Sequence, residues 1–275
     1  MRDNIGDKVI LNETILSAEQ LEHIQIPEHV VVYEVVRIIE KVPLFFEEHY
    51  NRLKSSLASL GCPLEIAQQK MTARIRELID ANDRANCNVK MLIYPEENIQ
   101  NSLVYISKSY YPGEEEFARG VPVGLLDWER QDPNIKRLNH RYKKMIAKEM
   151  AGRHLFEILL VNKGKQITEG SRSNVFFVKG TSVFTAPGAS VLKGITREYV
   201  LAACKALGIE VIEELIDVQS LNDLDAAFLS GTSIKVLPVS RIDNYHYPSS
   251  ANPTVLAIRN QFEQLIQQNI ENCRF

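Results

Sequence analysis

The sequence lacks the features that mark several large classes of protein. Its charges nearly cancel, since 32 basic and 35 acidic side chains among 275 residues leave a formal charge of −3. That balance offers no overall attraction to nucleic acid or to a membrane surface. Apolar stretches such as 158–161 and 226–229 are far too short to cross a bilayer, and residues 1–16 contain no apolar core of signal-peptide length. We therefore expect neither nucleic acid nor a membrane as a partner.

Cysteine is scarce and scattered through the chain. The cysteines form no CxxC pair and have no histidine at metal-ligand spacing; they are Cys62, Cys87, Cys204 and Cys273. This pattern favours reduced thiols, some of them buried, over disulfides or a zinc site. Together with the charged amino terminus, it predicts a cytoplasmic protein that binds no metal.

What is present is the composition of a folded globular chain. Apolar residues make up 45% and charged residues 24% of the sequence, and its length allows one large domain or two ordinary ones. The hydrophobic patterns predict an α/β (α+β) fold in which residues 1–115 form a first domain and residues 125–275 a second. The stretch 112–120 is polar and rich in turn residues, so we place the linker at 116–124.

The first domain contains a clear strand signal. Residues 30–39 form a β-branched run that predicts a buried strand, residues 40–43 predict a turn, and residues 44–46 predict a short second strand. Leucines at helical spacing then predict a helix from residue 47 that ends at Gly61.

Three charged residues stand out against their surroundings. Arg52 lies in the first turns of that helix, Lys136 lies in a basic stretch between the domains, and Glu169 follows a predicted strand. Each has a simpler interpretation when it is taken singly, as a solvated helix arginine, a surface lysine or an exposed acid in a turn.

Two segments have the features of anion-binding cradles. Residues 194–196 precede a predicted helix, where backbone N–H groups and the positive end of the helix dipole meet. Residues 230–233 form a hydroxyl-rich turn directly after the apolar strand 226–229. Simple helix capping and an ordinary turn are the alternatives. With a lysine, a carboxylate and an arginine, two such cradles are the parts needed to hold a phosphorylated aldehyde cofactor.

These motifs, in this order, resemble those of the class IV pyridoxal-phosphate enzymes. That family includes branched-chain aminotransferases, D-amino-acid aminotransferases and aminodeoxychorismate lyase. The resemblance runs from about Val30 to Asp243 and is carried by VYEVVRI…PLFFEEHYNRL, ITEGSRSNVFFVKG, LKGITRE and LSGTSIKVLPVSRID. It implies pyridoxal 5'-phosphate as cofactor and the two-domain fold of type IV enzymes. In that fold a smaller amino-terminal α/β domain precedes a larger carboxy-terminal domain with a barrel-like sheet.

The resemblance also implies roles for individual residues. Lys136 would form the Schiff base with the cofactor and then act as general base and acid. Glu169 would pair with the pyridine nitrogen and keep it protonated, which makes the ring a stronger electron sink. The remaining cofactor-binding positions are Arg52, Ile195, Thr196 and Thr232 around the phosphate, Leu192 against the ring face and Asn174 beside the ring.

The substrate-binding residues match the family less well. Tyr33 corresponds to a family tyrosine beside the cofactor and substrate. Residues 89–106 contain no match to the arginine–X–histidine pair that binds the substrate carboxylate in D-amino-acid aminotransferases, and none to the equivalent arginine of branched-chain enzymes. Arg172 stands where several relatives have a small residue. It would bind a substrate carboxylate, or else face solvent or another subunit.

We predict an aminotransferase that exchanges an amino group between an amino acid and a 2-oxo acid through a Schiff base on Lys136. The alternative is a lyase of the aminodeoxychorismate lyase type, which releases pyruvate. The proton-transfer chemistry is shared, so the cofactor residues do not distinguish the two, and they leave the handedness of the substrate open. A non-catalytic relative is disfavoured by the intact Lys136 and Glu169. The resemblance further implies a homodimer.

Overall fold

The computed structural model describes residues 3–21, 23, 31–96 and 99–273. The described residues group into two compact units. The first takes its residues from Met1–Tyr110, Ile135–His140 and Gln268–Phe275, and the second from Tyr111–Asn134 and Arg141–Gln267.

The first unit contains a six-stranded antiparallel sheet and two long helices. Its elements are β1 Lys8–Leu11, β2 Thr14–Ser17, α1 Ala18–Leu21, β3 Val32–Ile39, β4 Val42–Pro43, α2 Phe46–Ala58, α3 Gln68–Ala81, β5 Cys87–Glu96 and β6 Ile99–Ser107. The strand order is β2-β1-β6-β5-β3-β4. Alternate side chains of a strand point to opposite faces. One face of the sheet forms the main core with α2 and α3, through residues such as Val36, Leu53 and Ile75. The opposite face carries Tyr33 and Tyr105.

The start of α2 differs from the prediction. The expected strand at residues 44–46 is wrong, because the second strand of the hairpin is Val42–Pro43 and the helix begins at Phe46. Glu40 and Lys41 both have positive φ, 51° and 65°, as the two central residues of a tight hairpin turn of this hand require. Asparagine and glycine usually occupy such positions, so a Glu-Lys turn carries no recognisable signal in the sequence.

Residues 135–140 pack in the first unit, whereas the sequence-based division assigns them to the second domain. The amide of Tyr33 donates to the carbonyl of Lys136 at 3.1 Å, and the amide of Leu138 donates to the carbonyl of Val31 at 2.9 Å. The start of β3 therefore satisfies its edge hydrogen bonds with this segment.

The rest of the chain, most of it in the second unit, contains a ten-stranded sheet. Its elements are α4 Glu114–Arg119, β7 Val121–Asp127, α5 His140–Gly152, β8 Glu157–Val161, β9 Gln166–Gly170, β10 Asn174–Lys179, β11 Ser182–Thr185, α6 Ile195–Ala206, β12 Val211–Glu213, β13 Ile216–Asp217, β14 Ala226–Gly231, β15 Lys235–Ile242, β16 Tyr245–His246 and α7 Pro253–Cys273. The strands follow the order β12-β11-β10-β14-β15-β7-β8-β9-β13, with β16 beside β15. The predicted linker 116–124 contributes to α4 and β7.

This sheet is curved, as its connections require. Strands β9 and β10 are joined by only three residues, yet four strands separate them along the sheet. In a flat sheet they would lie about 24 Å apart, whereas a link of that length spans at most about 15 Å. The sheet must therefore bend until β9 and β10 approach, and the amide of Gly170 indeed donates to the carbonyl of Ser173 at 2.8 Å. The predicted barrel-like sheet is confirmed.

Side chains from one face of this sheet form a core of the second unit. Residues such as Val123, Leu159, Val175 and Leu237 are almost completely buried there. Among the described helices, none has the combination of length and apolar sequence needed to cross a membrane.

Candidate active site

In the first unit, a buried carboxylate holds Arg52 on α2. The Nε and Nη2 atoms of Arg52 donate to the two carboxylate oxygens of Glu34, each at 2.7 Å. His49 Nδ1 lies 2.8 Å from Glu34 Oε2. This two-point contact orients the planar guanidinium more strictly than a single hydrogen bond would.

Sequence reasoning missed Glu34 and His49. The signal that would have found them is an acid inside a β-branched strand, because a buried charge requires a partner. His49 and Arg52 lie three residues apart on α2 and therefore share one face of the helix.

Burial and the neighbouring groups together determine which members of this cluster are charged. Burial opposes ionisation of Glu34, but Arg52 and His49 outweigh it and hold the pKa of the carboxyl well below its usual range. Burial also lowers the pKa of His49; Glu34 opposes this, and Arg52 and Lys136 lower it further. Glu34 is therefore an anion and His49 is neutral at pH 7.

Lys136 and Tyr33 lie together in the first unit. Besides the hydrogen bond between their main chains, Lys136 Nζ lies 5.1 Å from the centre of the Tyr33 ring. This distance is that of a cation–π contact. The lysine is half-buried, so its amine is partly shielded from water.

In the second unit, Glu169 is buried at the end of β9 with both carboxylate oxygens bonded. Arg130 Nη1 donates to Oε1 at 3.0 Å, and the amide of Leu192 donates to Oε2 at 3.1 Å. Asn174 Nδ2 donates to the carbonyl of Leu192 at 2.9 Å. The structure thus brings together Glu169, Asn174 and Leu192. Arg130 was not among the sequence-predicted site residues.

Ile195 and Thr196 are the first two residues of α6. The N-cap is Gly194, and no side chain of the described chain caps the helix. A Cβ atom on Gly194 would lie 2.2 Å from Asn174 Oδ1, so a larger residue here requires the Asn174 side chain or the helix start to move. The first amides of a helix that no side chain caps, with the positive end of its dipole, form an anion-binding geometry.

Thr232 lies half-buried in the turn between β14 and β15. Close by, the buried hydroxyl of Ser230 has no hydrogen-bond partner among the described residues. Ser230 pairs with Asn174 across β14 and β10, so both side chains point to the same face of the sheet. A buried hydroxyl normally has a partner, and a polar group of a bound molecule would supply one.

Each unit taken by itself offers groups of a kind that pyridoxal phosphate requires. Lys136 offers an amine for the aldehyde, and the buried Glu169 offers a carboxylate for the ring nitrogen. Arg52 and the start of α6 offer donors suited to a phosphate.

Arg172 differs from the other predicted site residues, because its side chain is 61% exposed. Its Nη2 donates to the carbonyl of Phe156 at 3.0 Å, and its Nε lies 3.7 Å from Glu157 Oε2. The guanidinium thus contacts Phe156 and Glu157, both in its own unit. Its role in substrate binding stays a prediction.

Comparison with known proteins identifies the family. Residues 31–242 match the family model described as "Amino-transferase class IV". Because the match covers more than half of the chain, the chain belongs to the class IV aminotransferases.

Individual relatives agree with this membership. D-alanine aminotransferase from Bacillus licheniformis is 30% identical over 234 residues, which are 80% of this chain and 81% of that protein. The crystal structure of the Escherichia coli branched-chain amino acid aminotransferase shares the fold, with a TM-score of 0.85, 24% identity and 95% of each chain covered. The branched-chain aminotransferase of Thermobaculum terrenum, in its PLP-bound holo-form, has a TM-score of 0.81 at 22% identity, covering 97% of this chain and 95% of that one.

The predicted family, fold type and cofactor are confirmed. The chain is a pyridoxal-phosphate-dependent aminotransferase, which exchanges an amino group between an amino acid and a 2-oxo acid. The named relatives are aminotransferases, so the comparisons do not favour the lyase alternative.

Proposed function

We propose that Lys136 and Glu169 carry the reaction and that the enzyme acts on amino acids with uncharged side chains. The observation that carries this proposal is the buried carboxylate of Glu169, held at both oxygens on β9, just before the three-residue link to β10. A carboxylate held in this way offers a fixed negative charge to a pyridine nitrogen.

Each of the two residues has a defined task in this proposal. Bound pyridoxal phosphate supplies an electron sink for the electron pair left when the substrate loses its Cα proton. Glu169 holds a proton at the pyridine nitrogen. Lys136 would hold the cofactor through its amine and would move the Cα proton of the substrate as general base and acid. Tyr33 orients the amine of Lys136 through the ring contact.

The phosphate is bound by groups whose positions the fold determines. We assign this role to Arg52, whose orientation Glu34 sets, and to the amides of Ile195 and Thr196 at the start of α6. Thr232 adds a hydroxyl from the turn after β14. Leu192 packs against the ring, and Asn174 supports it through the Leu192 carbonyl.

The substrate class is supported by the relatives. They are a D-alanine aminotransferase and branched-chain amino acid aminotransferases, whose named substrates have uncharged side chains. The test is an absorbance assay of the loaded enzyme with single amino acids of both enantiomers. We expect conversion of the cofactor spectrum with at least one apolar amino acid. No change with any donor, or pyruvate release without an added 2-oxo acid, would overturn the proposal.

Replacement of Lys136 tests its role directly. Lys136→Ala removes the amine that binds the aldehyde and moves the proton, so we expect kcat to fall by about 1,000-fold or more. The visible band of the lysine-bound cofactor should disappear as well. Lys144→Ala is the matched control, because Lys144 is an exposed lysine on α5, and this variant should keep both properties. A persistent band in Lys136→Ala would show that another lysine is used.

We also propose that the enzyme is a cytoplasmic homodimer. The resemblance to the family supports the dimer, and the four free cysteines of the described chain suit a reducing compartment. Sedimentation velocity of the loaded protein at micromolar concentration should give the mass of two chains. A monomer with full activity would contradict the dimer.

A further inference from the structure

A second buried lysine lies on the Tyr33 face of the first unit. Lys90, on β5, has only 5% of its side chain exposed, and its Nζ lies 2.6 Å from Asp3 Oδ2. The same ammonium lies 5.3 Å from the centre of the Tyr33 ring and 5.6 Å from that of the Tyr105 ring. A buried ammonium is costly unless its charge is balanced, and Asp3 balances this one.

Asp3 is fixed at several points. Its other oxygen, Oδ1, accepts a hydrogen bond from the hydroxyl of Tyr105 at 2.8 Å, and its carbonyl accepts one from the amide of Lys108 at 2.6 Å. Burial, and then Asp3, raise the pKa of Tyr105 far above its ordinary value, so this hydroxyl remains a donor. The pair of Asp3 and Lys90 is therefore a defined structure with no net charge.

The position of Lys90 follows from the strand register. Val35 pairs with Lys90 across β3 and β5, so Lys90 is the diagonal neighbour of Tyr33 on the same face. Because Lys136 Nζ contacts the same ring at 5.1 Å, the two ammonium groups are at most about 10 Å apart. At that range a charge inside the protein still acts strongly on its neighbours.

We propose that Lys90 and Asp3 are a positioning pair, which holds Tyr33 against Lys136 and keeps the electrostatic surroundings of Lys136 neutral. This inference rests on the proposed role of Lys136. Removing one member of the pair leaves the charge of the other no longer balanced by its partner. Lys90 alone disfavours a proton on the Lys136 nitrogen, whereas Asp3 alone favours it.

Other groups near Lys136 in the first unit do not change this reasoning. Tyr33 on β3 contacts the Lys136 ammonium through its ring, and His49 on α2 is close enough for Lys136 to affect its charge. Burial lowers the pKa of His49, and Lys136 lowers it further. Tyr33 and His49 are both retained in every variant of the pair, so the titratable groups they contribute are the same in all of them.

The experiment measures the pH midpoint of the visible absorbance change of the cofactor-loaded enzyme. Lys90→Met should raise the midpoint by about 0.5 to 1 pH unit, and Asp3→Asn should lower it by a similar amount. The double variant restores the charge balance and should return to the wild-type midpoint. Lys90→Arg keeps the charge and should also stay close to it.

Lys41→Met is the matched control. Lys41 forms an ion pair with Asp80 in the same unit, but 53% of its side chain is exposed and solvent screens the pair. This variant should leave the midpoint unchanged. Thermal melting of each variant identifies loss of folding; if the single variants unfold, Lys90→Arg and the charge-balanced double variant must still keep the wild-type midpoint.

The outcomes distinguish a failure of the positioning pair from a failure of the role proposed for Lys136. If Lys136→Ala loses the cofactor band but Lys90→Met and Asp3→Asn leave the midpoint in place, only the positioning pair is wrong. Shifts of both single variants in the same direction, or a double variant that does not return, would also overturn it. If Lys136→Ala keeps the band, the assignment of Lys136 is wrong and the positioning pair is wrong with it.

Discussion

Two buried glutamates, one in each unit, are held in different ways. Glu34 is bonded by side chains, namely the fork of Arg52 and the ring of His49. Glu169 is bonded by Arg130 and by the main chain of Leu192. The first carboxylate thus orients another side chain, whereas the second is fixed to the backbone of Leu192. This difference in bonding suits the two roles proposed above, a positioning group for Glu34 and a participant in the reaction for Glu169.

The largest effect that would test the difference between the two glutamates is expected when Glu169 loses its charge. Glu169→Gln keeps the shape but cannot hold a proton at the pyridine nitrogen as an anion does, so we expect kcat to fall about 100-fold. The amide oxygen can accept from only one of the two donors, Arg130 or the amide of Leu192, and the NH2 group faces the other. We therefore expect the melting temperature to fall by a few degrees. Steady-state kinetics and calorimetry measure both effects. A kcat within threefold of wild type would remove Glu169 from the reaction.

The corresponding substitution in the first unit should reduce stability more and kcat less than Glu169→Gln does. Glu34→Gln leaves the buried guanidinium of Arg52 without its counter-charge, which costs about 3 kcal/mol of folding free energy. Denaturant unfolding measures this loss, and equilibrium titration with the cofactor should show a weaker affinity. The kcat of the saturated enzyme should fall less than in Glu169→Gln. An equal loss of kcat in both variants would mean that the two glutamates do not differ in role.

A smaller effect is expected at the backbone of the second unit. Gly194→Ala places a Cβ atom 2.2 Å from Asn174 Oδ1, so either the start of α6 or the Asn174 amide that bonds Leu192 must shift. We expect about tenfold weaker binding of pyridoxal phosphate. Gly188→Ala is the control, since the nearest atom to its Cβ would belong to the flexible Lys193 side chain, at 3.4 Å. Equal affinities in the two variants would show that this cradle does not bind the phosphate.

The smallest expected effect is a change in the unfolding free energy at acidic pH. The pKa of Glu34 is lowered in the folded chain, so its stabilising effect is complete above the pKa of the unfolded carboxyl, about 4.3. The effect is lost as the pH falls toward the lower folded value. The difference in unfolding free energy between wild type and Glu34→Gln should therefore shrink below about pH 4. Denaturant titrations at pH 7, 5, 4 and 3 measure it, and a constant difference would contradict the prediction.

Local patterns predicted much of this molecule. The β-branched run predicted as a strand and the helix predicted from residue 47 lie close to the observed bounds of β3 and α2. The short second strand was misplaced, because a positive-φ turn made of Glu40 and Lys41 has no sequence signal. The motif around Glu169 also indicated the family, since its residues are contiguous and their order is visible in the chain.

The sequence by itself determined which chemical groups are available and, through periodicity, which segments form strands and helices. Only the tertiary structure decided which charges meet. Glu34 with Arg52, Asp3 with Lys90, and Arg130 with Glu169 are pairs brought together by sheet register and packing. Periodicity depends on neighbours a few residues apart, whereas a buried pair depends on the burial and separation of residues distant in the chain. For this reason the family's motifs were readable in the sequence, whereas the partners of Glu34, Lys90 and Glu169 were not.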